Sequence, residues 1–208
     1  MEIFNDYDEF NHLMLKYDFA LEKLKTELNI LIKEYEFNNK YQPVDHIKSR
    51  IKTKESAIKK LEKKGYDIDI PNLMDKVHDM VGIRIVCSFL SDVYDIVNMI
   101  EKSQNLKIIE KRDYIKKPKK SGYSSYHLIV QVPIYLNEEV EYIKAEIQIR
   151  TMAMDFWASL DHKIQYKFNS IPKEVKEEMY NCSLAIKALD DKMINLNEIV
   201  KQKKKTVR

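Results

Sequence analysis

The sequence predicts an α+β domain with an α/β-like arrangement: a mixed sheet of about five strands flanked by helices, with a long helix at each end. Three observations support this prediction. Apolar residues recur at three- and four-residue steps near both ends of the chain, which is typical of amphipathic helices. Several central segments are rich in β-branched residues, which is typical of strands. Only 3 glycines and 5 prolines occur in 208 residues, so long elements with few tight turns are expected.

The first half of the chain predicts helices followed by one strand. Residues 6–37 carry an apolar stripe at helical spacing, and a polar break with Pro43 follows. A second helix is predicted over 49–64, ending at Gly65, because glycine favours the backbone conformation of a helix C-terminus. A short turn or helix around 72–78 precedes an apolar, β-branched run at 81–89, which predicts a buried strand.

The second half predicts a crossover helix, three strands and further helices. The crossover helix spans 92–102, and the strands span 106–115, 125–135 and 140–150. A helix is predicted over 151–168, and a long helix or helix pair over 172–204.

Composition excludes several classes of protein. The chain has 36 basic and 33 acidic residues, and a net charge of +3 is too small to indicate a nucleic-acid binder. Cys87 and Cys182 show no metal-ligand spacing and are both predicted to be small buried hydrophobes. The acidic, polar N-terminus is unlike a signal peptide, and no apolar run approaches the length of a membrane span, so a cytoplasmic protein is expected.

Lysines cluster at 48–64 and 111–120, where local positive charge suits phosphate ligands. In the predicted second helix, Lys52, Ser56 and Lys60 share one face, and Arg50 lies in the first turn. Two cations and a hydroxyl on one face are a plausible triphosphate cradle. A solvated basic helix face is the alternative interpretation.

Two charged residues flank the start of the predicted strand at 81–89. Asp79 lies at its entry, a usual place for a Mg²⁺ ligand, and Arg84 within it can stack on a base or clamp a phosphate. A structural ion pair is the alternative.

The strand at 140–150 alternates apolar and polar residues. Its apolar face consists of Ile143, Ala145, Ile147 and Ile149. Glu146, Gln148 and Arg150 line the other face, where a carboxylate, an amide and a guanidinium in a row indicate either a ligand-binding stripe or a solvated surface.

The loop before the third strand combines lysines, one glycine and aromatic residues. Gly122 permits unusual backbone angles or close ligand approach, and Tyr123 can stack on a purine. His127 follows at the start of a strand. A basic surface turn with a packed aromatic is the alternative.

Four segments in order resemble the synthetase domain of the RelA/SpoT homologue family. They read Arg-x-Lys-x-x-x-Ser-x-x-x-Lys at 50–60, Asp-x-x-Gly-x-Arg at 79–84, Arg-Asp-Tyr-Ile-x-x-Pro-Lys-x-Ser-Gly-Tyr-x-Ser-Tyr-His at 112–127, and Ala-Glu-Ile-Gln-Ile-Arg-Thr-x-Ala-Met-x-Phe-Trp-Ala at 145–158. The short length and flanking helices resemble the small alarmone synthetases. The resemblance implies a nucleotidyltransferase-like fold and transfer of pyrophosphate from ATP to the 3′-hydroxyl of GDP or GTP.

The resemblance also implies roles for matched residues. The ATP site would comprise Arg50, Lys52, Ser56, Lys60 and Arg84, with the two arginines around adenine. The acceptor site would comprise Lys119, Tyr123, His127 and Gln148, with Tyr123 stacking on guanine. Asp79 and Glu146 resemble the two carboxylates associated with Mg²⁺, and Glu146 is the candidate base for the 3′-hydroxyl.

The resemblance assigns 41–170 to the synthetase domain, with helical regions at 1–40 and 171–208. The length leaves no room for the family's hydrolase and regulatory domains, so synthesis without degradation is expected. A homotetramer held by the flanking helices is implied, and packing of those helices within one chain is the alternative.

Two other functions fit parts of the sequence. A toxic relative would transfer pyrophosphate to the 3′ end of tRNA or to an adenine nucleotide, with lysines holding RNA phosphates. A non-catalytic RNA-binding module would use the basic segments alone, although Asp79 and Glu146 are both present.

Overall fold

The computed structural model describes residues 7–136, 139–167 and 170–206. Its elements, in chain order, are helix α1 (Tyr7–Asn39), strand β1 (Val44–Ile51), helices α2 (Lys54–Lys64) and α3 (Ile70–Lys76), strand β2 (Val81–Cys87), helix α4 (Leu90–Lys102), strands β3 (Lys107–Asp113), β4 (Tyr126–Leu136) and β5 (Glu139–Thr151), and helices α5 (Met152–Lys167) and α6 (Lys173–Thr206). The five strands form one sheet in the order β1-β2-β5-β4-β3, in which β2 and β5 are parallel and the other pairs antiparallel. The predicted mixed sheet with long terminal helices is therefore confirmed.

Helix α1 packs its apolar stripe into the core of its own chain. Leu24 and Leu28 are fully buried, and α1 contacts β4, β1, β2, β5 and α4. The apolar face of β5 and the inner face of α4 join the same core. The structure therefore shows that the apolar stripe of α1 packs within one chain, which was the alternative to a contact between subunits.

The region around β1 differs from the prediction, because 44–51 form an edge strand and the helix begins only at Lys54. An irregularity in the pairing with β2 lies between Val44 and His46. Val44, Ile47 and Ile51 pack against the core from this strand. Helix α2 starts at the N-cap Thr53, whose side chain accepts a hydrogen bond from the Ser56 backbone amide, and ends at Gly65 as predicted.

The register of the sheet aligns residues from different motifs into two rows. One row crosses the strands through Arg50, Gly82, Glu146, Ile129 and Glu110, and the other through Lys48, Arg84, Gln148, His127 and Arg112. Because side chains alternate along a strand, both rows project from the face opposite the α1 core. The fold therefore gathers the four sequence motifs on one face of the sheet.

The C-terminal helices pack beside this face. The Trp157 indole on α5 donates a hydrogen bond to the Met179 carbonyl on α6, at 2.9 Å. Cys87 is buried as predicted, but the prediction for Cys182 is wrong: this cysteine is exposed, because it lies on the outer side of α6. Within the described ranges, no helix is both long and apolar enough to cross a membrane.

Candidate active site

A cavity of about 260 Å³ opens on the polar face of the sheet. Its lining residues come from β1, β2, β5 and the turn before β2: Lys48, Ser49, Arg50, Asp79, Gly82, Ile83, Arg84, Glu146 and Gln148. Gly82 lies between Arg50 and Glu146 in the register and contributes no side chain there. The two carboxylates, far apart in the sequence, thus share one cavity with two arginines.

Asp79 is held by two lysines from the first motif. Its Oδ2 lies 3.0 Å from the Lys52 ammonium and its Oδ1 lies 2.7 Å from that of Lys60. Burial raises the pKa of Asp79, but the two ammonium groups lower it further, so the net shift is downward. Asp79 is therefore a carboxylate at neutral pH, and two cations meet at the mouth of the cavity.

Arg50 and Ser56 occupy different positions from those expected of one helix. Arg50 lies on edge strand β1 and lines the cavity, whereas Lys52 lies in the turn before α2. Ser56 is exposed in the first turn of α2, where its hydroxyl accepts a hydrogen bond from that of Thr53. The predicted shared helix face is thus wrong, although Lys52 and Lys60 still converge on Asp79.

Glu146 accepts hydrogen bonds on both carboxylate oxygens. His127 Nδ1 lies 3.0 Å from Oε1, and the Gln148 amide donates to Oε2 at 2.7 Å. Burial raises the pKa of Glu146, but the hydrogen bonds from His127 and Gln148 lower it, and the net shift is downward. Glu146 is therefore ionised and fixed in orientation.

Tyr123 lies beside His127, one of the two partners of this carboxylate. Its hydroxyl is 2.9 Å from His127 Nε2, and the Lys119 ammonium sits 4.8 Å from the centre of its ring. Gly122 precedes it with φ +91°, and a turn closes through a hydrogen bond from the Gly122 amide to the Lys119 carbonyl. Burial raises the pKa of the Tyr123 phenol, so the hydroxyl keeps its proton.

Arg150 and Asp155 contact the residues of this site as well; Arg150 was predicted only as part of the polar stripe of β5, without a role, and Asp155 was not predicted. Arg150 is 1% exposed, and its Nη2 donates to the Tyr123 hydroxyl at 3.0 Å and to the Gln148 amide oxygen. Asp155, in the first turn of α5, lies 3.1 Å from Arg84 and 3.5 Å from Arg150. The alternation along β5 did indicate Arg150, but nothing in the sequence indicated that Asp155 bridges two arginines.

The carboxylate set suits a divalent cation that also binds phosphates. Mg²⁺ is usually held by one or two carboxylates together with substrate oxygens and water. Asp79 and Glu146 are ionised and share a cavity, and the described residues contain no cluster of three or more metal-ligating side chains. These residues fit a metal that arrives with a nucleotide better than a metal held by the protein alone.

Comparison with known proteins gives the family. The model described as "Region found in RelA / SpoT proteins" matches residues 49–171. GTP pyrophosphokinase YwaC of Bacillus subtilis (strain 168) is 43% identical over 93% of this chain and 92% of its own.

Solved structures give the same result for the fold. Small alarmone synthetase 1 from Bacillus subtilis bound to its product pppGpp aligns with a TM-score of 0.85 at 32% identity, covering 92% of this chain and 98% of that one. Its complex with AMPCPP aligns with a TM-score of 0.77 at 27% identity, covering 93% and 99%. The chain therefore belongs to the RelA/SpoT family, among the small alarmone synthetases.

Proposed function

We propose that this protein is a (p)ppGpp synthetase, which transfers pyrophosphate from ATP to the 3′-hydroxyl of GDP or GTP and releases AMP. One observation carries the proposal: Asp79 and Glu146 line the same cavity, each ionised and each held by side chains from another motif. Two structures of one relative, small alarmone synthetase 1 from Bacillus subtilis, support it: one is bound to its product pppGpp and the other to AMPCPP.

The proposed reaction accounts for each bond formed and broken, and a group in this cavity receives the proton. The 3′-oxygen of the acceptor bonds to the β-phosphorus of ATP while the bond between that phosphorus and the α,β-bridging oxygen breaks, and AMP leaves. The hydroxyl proton passes to the Glu146 carboxylate, which is an acceptor with both oxygens already oriented. Such a transfer depends on in-line positioning and on stabilising negative charge more than on covalent help.

The donor nucleotide would lie at the β1–α2 side of the cavity. Lys52 and Lys60 bring two ammonium groups to Asp79, and Ser56 stands in the first turn of α2, where helix backbone amides favour phosphate. Arg50 and Arg84 line the cavity from adjacent strands, and planar guanidinium groups stack well on a purine. These five residues are the proposed ATP site.

The acceptor nucleotide would lie at the loop before β4. Tyr123 offers an aromatic ring for guanine, and Lys119 stands beside it. His127 and Gln148 hold the carboxylate that faces the ribose. Because both of these residues contact Glu146 and both belong to the proposed acceptor site, acceptor binding would be coupled to the position of the base.

Mg²⁺ is the metal we propose, with Asp79 and Glu146 as its protein ligands. When bound, it would neutralise charge on the transferring phosphates. Lys52 and Lys60, which pair with Asp79, are the same groups proposed for the phosphates, so the metal and the phosphates would meet at this carboxylate.

The remaining parts of the proposal concern organisation. Residues 41–170 would act as the synthetase domain, with 1–40 and 171–208 as flanking helical regions, in the cytoplasm. A homotetramer is supported by exposed apolar residues on α6: Tyr180, Leu184, Leu189, Met193, Leu196 and Ile199.

The test is a nucleotide-product assay. Purified protein is incubated with ATP, Mg²⁺ and GDP, GTP or GMP, in parallel with ATP and tRNA, and the products are resolved. We expect a guanosine nucleotide carrying a 3′-pyrophosphate, together with AMP. Labelled tRNA without any guanosine product would instead identify the toxic relative, and folded protein with no product from either acceptor would reject the proposal.

Substitution of the base sharpens this assay. Glu146→Gln should lower kcat by about 10²–10³-fold, since it removes the charge that receives the proton. Glu141→Gln is the matched control, because Glu141 lies on the same strand but pairs with Lys16 outside the cavity. Equal kcat in both variants would remove Glu146 from the chemistry.

A further inference from the structure

We propose that Arg150 is a positioning residue for the Glu146 carboxylate, acting through two arms that both end on that carboxylate. This inference rests on the proposed function, since it gives the arginine a task in the same transfer. It concerns five residues, which we call the Glu146 network: Glu146, Gln148, Arg150, Tyr123 and His127.

One nitrogen atom supplies both arms. Arg150 Nη2 donates to the Gln148 amide oxygen and to the Tyr123 hydroxyl. The first arm ends where the Gln148 amide nitrogen donates to Glu146 Oε2, and the second ends where His127 Nδ1 meets Glu146 Oε1. The network is thus a closed loop of hydrogen bonds around one carboxylate.

The guanidinium sets the direction of each arm because it can only donate. Since it donates to the oxygen of Gln148, the amide nitrogen of that residue must face Glu146. Since it donates to the Tyr123 hydroxyl, the hydrogen of that hydroxyl is free to make a hydrogen bond to His127 Nε2. His127 then presents Nδ1–H to the carboxylate, and both arms finish with a donor on Glu146.

Burial makes this arrangement specific to arginine. Arg150 is 1% exposed, its Nη1 faces Asp155 at 3.5 Å, and its carbon centre lies 5.5 Å from the Tyr123 ring centre. Such a group is costly to bury, and the buried Nε of Arg150 has no hydrogen-bond partner among the described residues. A side chain needed only for packing would be apolar at this position.

The arginine does not line the cavity, whereas Glu146 and Gln148 do. Its loss should therefore change turnover and leave donor binding almost unaltered. Arg150→Met keeps the length of the side chain and removes its donors. We expect kcat to fall about 10- to 100-fold, as for other supporting partners of active-site groups, with the KM for ATP within about twofold of the original value.

A double-substitution cycle separates positioning from a purely structural effect. If Arg150 acts through Glu146, then adding Arg150→Met to Glu146→Gln should lower kcat no further. A full additional loss in that background would overturn the inference. Lys16→Met is the matched control, because it removes a cation from the part-buried pair with Glu141 outside the network and should leave kcat unchanged.

The inference can also be tested with a second variant, Arg150→Lys, and with a second measurement, a crystal structure. Arg150→Lys keeps the positive charge beside Asp155, and it is used if the Arg150→Met variant does not fold. If kcat of Arg150→Lys equals that of the unchanged chain, the guanidinium is not needed. A crystal structure of the folded Arg150→Met variant should show at least one of the two hydrogen bonds on Glu146, from Gln148 or from His127, lengthened or lost. Two unchanged bonds would overturn the inference even for a protein without turnover. If the unchanged protein makes no product, the proposed function is rejected. If the unchanged protein is active and the Arg150→Met variant has the same kcat, only this inference is rejected.

Discussion

At the scale of single residues, the site is built from ionised groups whose charges are already paired. Asp79 pairs with two lysines and Asp155 with two arginines, so both of these carboxylates have cationic partners. Pairing of this kind lowers the cost of burying charge, and it holds the four cations in place around the cavity.

Asp79 gives a prediction at this scale. Asp79→Asn should lower kcat by about 10²–10³-fold, because the amide no longer holds Lys52 and Lys60 together and is a poor ligand for a metal. Steady-state rates of AMP release measure this effect.

The chain offers a close control for that substitution. Asp75 also pairs with two lysines, Lys76 and Lys144, but it is exposed and outside the cavity, so Asp75→Asn should keep the original rate. A similar loss in both variants would mean that general charge, and not the cavity, explains the effect.

At the scale of elements, α6 fixes the loop that carries Tyr123. A Cβ added at Gly122 would lie 2.6 Å from the Ser183 Cβ on α6, and the positive φ of this residue adds strain. The loop and the helix therefore depend on each other, so changes on α6 should reach the acceptor site.

Gly122→Ala tests this dependence. We expect a loss of about 1–3 kcal/mol in unfolding free energy together with a raised KM for the guanosine nucleotide, because the loop and α6 must separate. Gly65→Ala is the control, since Gly65 has φ +72° but open space around its Cβ, and it should cost about 1–2 kcal/mol of stability without changing that KM. An equal change of KM in both variants would contradict the proposed link.

The docking of α6 also predicts a dependence of stability on pH. Burial raises the pKa of Asp190 to about 6, while the hydrogen bond from the Thr151 hydroxyl opposes this shift and Asp191 adds to it. The folded state thus holds a proton that the unfolded state has lost, and stability falls as pH rises from about 4 to about 6.

Asp190→Asn removes this penalty while its amide oxygen still accepts from Thr151. We expect the variant to be more stable than the unchanged chain by about 2 kcal/mol at pH 8, with no gain at pH 4. Denaturant unfolding at both pH values measures this, with exposed Glu198→Gln as the control on the same helix. A gain that is equal at both pH values would show that titration of Asp190 is not the cause.

At the scale of the whole molecule, α6 carries several exposed apolar residues along its length. Leu184 is 51% exposed and Leu196 53% exposed, whereas Leu24 and Leu28 of α1 are fully buried in the core. Groups of exposed apolar residues often mark a protein interface.

The proposed tetramer therefore depends on α6. Leu184→Glu combined with Leu196→Glu should convert the assembly to smaller species, as measured by light scattering after gel filtration, because charges would be buried at the interface. Asn195→Glu adds a charge at an exposed polar position of the same helix and should leave the mass unchanged. An unchanged chain that already runs as a monomer would reject the tetramer itself.

The sequence alone determined the outline of the fold and the chemistry of most of the site. Periodicity predicted the long helices and four of the strands, because burying one face leaves a repeat of 3.6 or 2 residues. The ordered motifs and the alternation along β5 indicated Asp79, Glu146 and their neighbours, since residue types suited to phosphate and Mg²⁺ stand out against an apolar core.

Only the tertiary structure decided what depends on register and on distant contacts. The helix predicted over 49–64 begins only at Lys54, so Arg50 was predicted on α2 when it lies on an edge strand, whose pairing with β2 the sequence does not show. The double role of Arg150 appears only when the loop with Tyr123 lies against β5, and the bridging position of Asp155 only when α5 packs against β2 and β5. A linear pattern records which face a side chain is on, but which partners it meets is fixed by elements far away in the chain.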